Sequence, residues 1–133
     1  MTAALIVDDE PAILRLVAMV LRELGFETLT APDAETASQL LKSSKPDLIV
    51  TDVRLPGISG IELAKRVKSS KRLGKIPVLL MSAFAEPPAH TGDGFIAKPF
   101  DLSELEETFN RYINSSVIGS ENGDSGRGQR ADS

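Results

Sequence analysis

The sequence contains no cysteine, a single histidine and no long hydrophobic run. Without cysteine the chain has no disulfide, no thiolate metal site and no cysteine nucleophile, so its chemistry must come from carboxylates, hydroxyls and amines. No segment approaches the roughly 18 apolar residues of a membrane span. The N-terminus also lacks the basic region of a signal peptide. We therefore expect a cytoplasmic protein that makes no contact with a membrane.

The chain also lacks an excess of positive charge. It has 15 basic and 19 acidic residues and a net charge of -4, so we expect no contact with nucleic acid. Its 133 residues suffice for one domain with a hydrophobic core. From residue 115 onwards the composition is rich in Ser and Gly and too poor in apolar residues to offset its ordering entropy. The composition predicts one domain at 1–114 and a disordered tail at 115–133.

Within the predicted domain, short apolar runs alternate with amphipathic segments. The apolar runs predict strands at Ala3–Val7, Leu48–Thr51, Val78–Met81 and Phe95–Ala97, and weak alternation over Glu27–Thr30 suggests an outer strand. Apolar residues at helical spacing predict helices that start near Pro11, Asp33 and Asp101. A further helix, the third along the chain, carries Leu63, Ala64 and Val67 after a turn-rich stretch. This alternation predicts an α/β fold, a doubly wound parallel sheet with helices on both faces.

Polar residues follow four of the predicted strands at the point where each strand ends. They are Asp8 and Asp9, Asp52, Ser82 and Lys98. Ligands of open parallel sheets bind beyond the carboxyl ends of the strands, so we expect these side chains to meet at one edge. Carboxylates that close together repel unless a cation lies among them, and oxygen ligands suit Mg²⁺. A lysine and a hydroxyl facing that ion would be placed to hold a phosphoryl group.

These residues, in this order, resemble the receiver domain of two-component response regulators. The motifs are Asp8-Asp9, Asp52, Ser82 and Lys98-Pro99-Phe100, each after its own strand. The resemblance covers about 3–113, and several separated matches are far more specific than any one of them. It implies a five-stranded, flavodoxin-like parallel sheet with strand order 2-1-3-4-5.

The resemblance also implies roles for the site residues. Asp52 would be the phosphoacceptor, taking a phosphoryl group from a sensor histidine kinase or a histidine phosphotransfer protein. Asp8, Asp9, Asp52 and the backbone carbonyl of Arg54 would hold Mg²⁺. That ion and Lys98 would neutralise the charge of the phosphoryl oxygens. On this interpretation the chain catalyses its own Mg²⁺-dependent phosphorylation and dephosphorylation and is not a turnover enzyme on an external substrate.

The family's switch residues have counterparts here as well. Ser82 would donate a hydrogen bond to a phosphoryl oxygen and move towards it, and Phe95 matches the aromatic that turns inward as Ser82 moves. The resulting change of surface would be read by a downstream protein partner. Pro99 resembles the family's cis-proline.

One segment departs from the family pattern. Typical receivers place a full helix, their fourth, between the counterparts of Ser82 and Phe95. Here only the twelve residues Ala83 to Gly94 lie between them, which is close to the minimum for a parallel crossover that includes a helix. Pro87-Pro88 removes two backbone donors and disfavours helix before it. We therefore predict that the fourth helix of the family is replaced by a loop or a single turn.

Two neighbours of the site occupy positions that in this family influence how water reaches the phosphoryl group. Arg54 lies two residues after Asp52, and Phe84 lies two residues after Ser82. Our hypothesis is that the bulk of Arg54 and the apolar ring of Phe84 hinder water and lengthen the phosphorylated lifetime.

Simpler readings exist for each feature. The acidic run 8–10 could cap the first helix, and Asp52 could be a turn residue.

A rival for the whole chain is a receiver-shaped docking module that signals without phosphorylation. A phosphatase would want an acid at position 54, where Arg54 stands. A flavin-binding protein would need a glycine- and hydroxyl-rich loop at 8–10.

A basic run follows the third predicted helix. Lys65 to Lys75 carries six positive charges and no acidic residue. Such a run is most often a solvated helix end, and partner docking is the alternative.

Overall fold

The computed structural model describes residues 2–84 and 92–113 with their side chains, and 114–121 by their backbone. The strands are β1 (Ala3–Val7), β2 (Glu27–Ala31), β3 (Leu48–Asp52), β4 (Val78–Ser82) and β5 (Gly94–Ala97). The helices are α1 (Pro11–Glu23), α2 (Ala34–Ser43), α3 (Gly60–Ser69) and α4 (Leu102–Glu121).

All five strands pair in parallel in the order β2-β1-β3-β4-β5, which confirms the predicted fold class and strand order. β3 and β4 are each one residue longer than the apolar runs predicted. Asp52 pairs with Met81 and Ser82 pairs with Ala97, so both polar residues belong to the ladder itself. Strand pairing on one side of each residue fixes its backbone and so gives the two side chains fixed starting points.

The helices cover both faces of the sheet and form two apolar cores. α1 and α4 pack on one face, where Leu105 and Phe109 of α4 are fully buried. α2 and α3 pack on the other face, where Leu63 and Val67 lie against Leu80 of β4. Full burial of a side chain as large as Phe109 contributes about 1.5–3 kcal/mol to folding. Burial on both faces explains why the central strands are continuous apolar runs.

Local capping explains where α2 and α3 begin. The Asp33 carboxylate accepts a hydrogen bond from the Thr36 backbone at 2.7 Å, and the Ser59 hydroxyl accepts one from the Glu62 backbone at 3.1 Å. Each bond satisfies an N–H that has no partner inside its helix. α1 differs, because its N-cap Glu10 makes no side-chain cap. The carboxylate of Glu10 is therefore available for another contact.

The connection from β4 to β5 is described at its two ends only. Residues 83, 84, 92 and 93 are not helical, and 85–91 lie outside the described residues. The predicted loss of the family's fourth helix falls mainly on that segment. The element that follows β5, α4, packs with α1 on the opposite face and is not that crossover helix.

Asp93 anchors the start of β5. Its carboxylate accepts a hydrogen bond from the Val78 backbone at 2.7 Å and pairs with the Lys68 ammonium at 2.6 Å. The hydroxyl of Tyr112 donates to its carbonyl at 2.8 Å. A Cβ at Gly94 would overlap that same hydroxyl, so a larger residue there would displace the Tyr112 side chain from this hydrogen bond. These contacts set the β4–β5 register from α3 on one side and α4 on the other.

α4 is helical to Glu121, seven residues beyond the predicted domain end at 114. The segment has few apolar residues, but a helix that packing has already nucleated gains one hydrogen bond for each residue added. The helix can therefore continue without further apolar contacts. The disordered tail at 115–133 therefore stays a prediction: its first seven residues are helical here, and 122–133 lie outside the described residues. Among the described helices, none combines the length and the hydropathy needed to cross a bilayer.

Candidate functional site

The ammonium group of Lys98 connects three carboxylates at the carboxyl edge of the sheet. Its Nζ donates to Asp8 Oδ2 at 2.8 Å, to Glu10 Oε1 at 3.3 Å and to Asp52 Oδ2 at 3.4 Å. The Asp8 side chain is fully buried, and those of Lys98 and Asp52 are each 11 % exposed. Residues 90 positions apart in the chain thus meet because β1, β3 and β5 end at the same edge.

The carboxylates of Asp8, Asp9 and Asp52 form the acidic part of the site. Each offers one oxygen, and these oxygens all lie within 4.8 Å of one another. Asp8 already uses both of its oxygens, one for Lys98 and one for the Glu10 backbone N–H at 2.9 Å. Asp9 is exposed. The set therefore fits Mg²⁺, a hard ion that prefers carboxylate oxygens and keeps several of its water ligands.

Burial and charge act in opposite directions on this group of residues. Burial, reinforced by the charge of Asp8, raises the pKa of Asp52, while the Lys98 ammonium and a hydrogen bond from the Arg54 backbone partly offset that rise. Burial lowers the pKa of Lys98, but its interactions with Asp8, Asp52 and Glu10 together outweigh burial, so the net shift is upward. The site thus holds the Lys98 cation beside several carboxylates, and a second cation would reduce the remaining repulsion between those carboxylates.

Ser82 lies at the same edge and is buried. Its hydroxyl accepts a hydrogen bond from the Phe84 backbone at 3.0 Å, and its carbonyl accepts one from the Lys98 backbone at 2.8 Å. Within the described residues, the Ser82 hydroxyl makes no contact with the carboxylates. The side chain would have to turn to reach a group placed on Asp52.

Phe95 lies one strand away from Ser82. It is half-buried, sits opposite Leu80 in the β4–β5 ladder and packs against the core that α2 and α3 cover. The peptide bond between Lys98 and Pro99 is cis, as the resemblance implied. Phe95 and Pro99 also border an open groove of about 280 Å³ between β5 and α4.

Two contributors to the site were not anticipated from sequence. Glu10, expected at most to cap α1, instead places its carboxylate near Lys98. Gly60 packs directly on the backbone of Asp52, where a Cβ would overlap the Asp52 carbonyl oxygen, and its N–H donates to Val53 at 2.9 Å. The available signal for Gly60 was its position immediately after the helix-capping Ser59.

Arg54 and Phe84 contact each other across the mouth of the site. The guanidinium carbon of Arg54 lies 4.1 Å from the centre of the Phe84 ring, within the range of a cation–π interaction. Phe84 is 58 % exposed and is one of few large apolar side chains on the described surface. The pair joins the loop after β3 to the loop after β4.

The model of the response regulator receiver domain matches residues 4–110. The chain belongs to the response regulator receiver family. It is 39 % identical over 116 residues to the chemotaxis protein CheY-3 of Vibrio cholerae, covering 82 % of this chain and 89 % of that protein. It is also 39 % identical over 107 residues to the phosphate regulon transcriptional regulatory protein PhoB of Pseudomonas aeruginosa, covering 76 % of this chain. This receiver spans only 47 % of the length of PhoB.

Solved receivers share the fold. The chemotaxis response regulator CheY4 of Vibrio cholerae superposes with a TM-score of 0.78 at 29 % identity, over 84 % of this chain and 98 % of that one. The response regulator TrrA of Thermotoga maritima, in complex with Mg²⁺ and BeF, gives a TM-score of 0.75 at 32 % identity, over 84 % of this chain and 99 % of that one. Receivers of this family bind Mg²⁺ at an acidic pocket, and the Asp8, Asp9 and Asp52 cluster is consistent with one.

Proposed function

We propose that this receiver accepts a phosphoryl group on Asp52 from a phosphohistidine of a sensor histidine kinase or a histidine phosphotransfer protein. Receivers of the family interact with such proteins and are generally not turnover enzymes. The observation that carries the proposal is Lys98, whose ammonium touches Asp8 and Asp52 at the carboxyl edge of the sheet. An ammonium held there by three carboxylates is a fixed positive charge beside the reacting oxygen.

In the proposed step, an oxygen of the Asp52 carboxylate attacks phosphorus in line with the phosphohistidine nitrogen. The P–O bond forms as the P–N bond breaks, and its electron pair stays on the imidazole. The product is an acyl phosphate on Asp52. The transition state carries charge on the phosphoryl oxygens, and a fixed cation such as Lys98 stabilises that charge without reorganising.

Asp8, Asp9, Asp52 and the backbone carbonyl of Arg54 would hold the Mg²⁺. Bound there, the ion would supply further positive charge to the phosphoryl oxygens. The chain's own part is to orient the carboxylates: Asp8 is held by the Glu10 backbone and by Lys98, and Asp52 is held by strand pairing and by Gly60.

The readout of phosphorylation would begin at Ser82. Its hydroxyl is one side-chain rotation from leaving the Phe84 backbone and donating to a phosphoryl oxygen. Phe95, half-buried two strands from Asp52, would then repack and change the surface of β5 that a downstream partner meets.

Intact mass spectrometry tests the phosphoacceptor directly. The protein is incubated with Mg²⁺ and acetyl phosphate, and a gain of one phosphoryl group is expected. The gain should disappear in Asp52→Asn and on chelation of Mg²⁺. The matched control Glu35→Gln, an exposed carboxylate on α2, should phosphorylate like the original protein.

Absence of a mass gain from acetyl phosphate and from a panel of phosphorylated histidine kinases would contradict the proposal and favour the phosphorylation-independent docking module. A gain that persists in Asp52→Asn would assign the acceptor elsewhere.

A further inference from the structure

The positive charge of this chain is concentrated at one place. Six of its 15 basic residues lie in the run Lys65 to Lys75, which leaves nine against all 19 acidic residues in the remainder. Lys68 is not free for a partner, because it pairs with Asp93 and donates to the Ile76 carbonyl at 2.7 Å. The other five basic residues of the run are exposed.

Folding adds a sixth cation and an apolar floor. The C-terminal ends of α2 and α3 border a groove of about 180 Å³ that we call the basic groove. Its rim carries Lys42, Arg66 and Arg72, and the Arg72 guanidinium donates to the Leu41 carbonyl at the end of α2. Within the described residues, the groove lining contains no carboxylate.

The floor of the basic groove is formed by aliphatic side chains from both helices and the loop after α3: Leu41, Leu63, Val67 and Leu73. An enclosed apolar cavity of about 150 Å³ accommodates a benzene molecule. A groove of this size therefore has room for one aliphatic or aromatic side chain. These four side chains also belong to the core that α2 and α3 cover, and the groove exposes only their outer edges.

The basic run at one end of the groove lies towards the amino edge of the sheet, whereas Asp52 lies at the carboxyl edge. Lys75 and Ile76 come just before β4 begins at Val78, so the run sits at the amino edge of the sheet. Binding there would leave Asp52 and Lys98 accessible to a phosphodonor. The inference therefore goes beyond the proposed phosphoryl chemistry and does not depend on it.

We propose that the basic groove docks an acidic amphipathic segment of a partner protein, with one apolar side chain in the groove and carboxylates on the cationic rim. We choose an acidic partner because the rim of the groove is cationic, although the chain as a whole has a net negative charge. The apolar floor separates this partner from nucleic acid, which would contact the cations and leave the floor uncovered. Glu62, which pairs with Arg66 at 3.3 Å on the exposed helix surface, is too weakly held to block the rim.

The test uses a synthetic peptide with one leucine flanked by glutamates, titrated into the full chain at low salt. Two control peptides are used. The first keeps the glutamates and has serine in place of leucine, and the second keeps the leucine and has glutamines in place of the glutamates. We expect binding of the first peptide only, with NMR shift changes at residues 38–42 and 63–73. Raising the salt concentration should weaken it.

Variants of the chain locate the site. Lys42→Glu with Arg66→Glu should weaken binding by about tenfold or more, since two favourable charge contacts become repulsive. Arg15→Glu with Arg111→Glu makes the same change of charge on the α1 and α4 face and should leave binding unchanged. Ser38→Phe, which fills the groove without altering charge, should abolish it, and Asp52→Asn should not affect it.

Several outcomes would overturn the inference. One is equal binding of the serine peptide, which would indicate charge attraction alone. Another is equal loss in the two double variants. A third is tighter binding of single-stranded polyuridylate or of phosphatidylserine vesicles while the leucine peptide fails to bind. Circular dichroism of each variant identifies any that has not folded, and Ser38→Thr then replaces Ser38→Phe as the milder filling variant.

Discussion

At the scale of single residues, the site depends on how one cation is shared. Lys98 contacts Asp8, Glu10 and Asp52, and its shortest contact, 2.8 Å, is to Asp8. Asp52 receives the longest, at 3.4 Å. The phosphoacceptor candidate is therefore the least tightly paired of the three carboxylates, which suits a group that has to act as a nucleophile.

Our hypothesis for the contact between Arg54 and Phe84 is that it lengthens the lifetime of the phosphorylated state. If water reaches the acyl phosphate only when this contact opens, breaking it should speed loss of phosphate by about two- to fivefold, the equivalent of one exposed cation–π interaction. We expect that rise in both Arg54→Ala and Phe84→Ala, measured by following the decay of the phosphorylated mass.

The combined variant should be no faster than the faster single variant, because the two side chains act through one contact. Phe84→Leu keeps the bulk and loses the ring face, so it separates stacking from shielding by size. Unchanged or slower decay in both alanine variants would count against the hypothesis.

At the scale of elements, the start of α3 is pressed against the end of β3. Gly60 has no room for a Cβ because the Asp52 carbonyl occupies that space. Gly60→Ala should therefore destabilise the protein by about 1–3 kcal/mol, the usual cost of overpacking, and should also slow phosphorylation by shifting Asp52. Urea unfolding and the acetyl phosphate assay measure the two effects.

Gly57→Asn is the matched control, since a Cβ at Gly57 meets nothing within 4 Å and asparagine tolerates its positive φ of 79°. It should change stability less than Gly60→Ala does. Equal effects of the two substitutions would refute the steric explanation.

The cap of α2 predicts a pH dependence of stability. The hydrogen bond from Thr36 holds the pKa of Asp33 below its ordinary value of 3.8. A carboxyl with a lowered folded-state pKa stabilises the fold above its unfolded-state pKa and loses that effect as pH falls through the folded-state pKa. The gap in melting temperature between the original protein and Asp33→Ala should therefore be full near neutral pH and narrow below 3.8.

Ser59→Ala provides the control, because Ser59 caps α3 with a hydroxyl that does not titrate. The difference in melting temperature between the original protein and Ser59→Ala should stay the same over this pH range. A gap for Asp33→Ala that stays constant as pH falls would show that the charge of the cap contributes nothing.

At the scale of the whole molecule, bound Mg²⁺ should stabilise the fold. A ligand that binds only the folded state at 100 times its dissociation constant adds about 2.7 kcal/mol. We expect a rise in melting temperature with Mg²⁺ that EDTA reverses and that Asp9→Ala removes, whereas Glu35→Gln should retain it. A rise of equal size in Asp9→Ala would place the ion elsewhere.

Much of the fold followed from local patterns. Apolar runs located β1, β3, β4 and β5, and weak alternation located the outer strand β2. Helical spacing located the four helices of the described residues. The ends of elements followed less well. β3 and β4 continue into Asp52 and Ser82 because their neighbours supply ladder partners, and α4 continues past 114 because its first turns are packed.

The sequence by itself determined the order of strands and helices along the chain and the residue types at the strand ends, because hydrophobic period and strand-end chemistry are local properties. Only the tertiary structure decided which of those residues touch. Lys98 contacts three carboxylates, Gly60 packs against Asp52, and Arg54 stacks on Phe84. Each of these contacts joins segments from different strands or loops. Such contacts depend on strand pairing and on side-chain direction in three dimensions, which no spacing along the chain encodes.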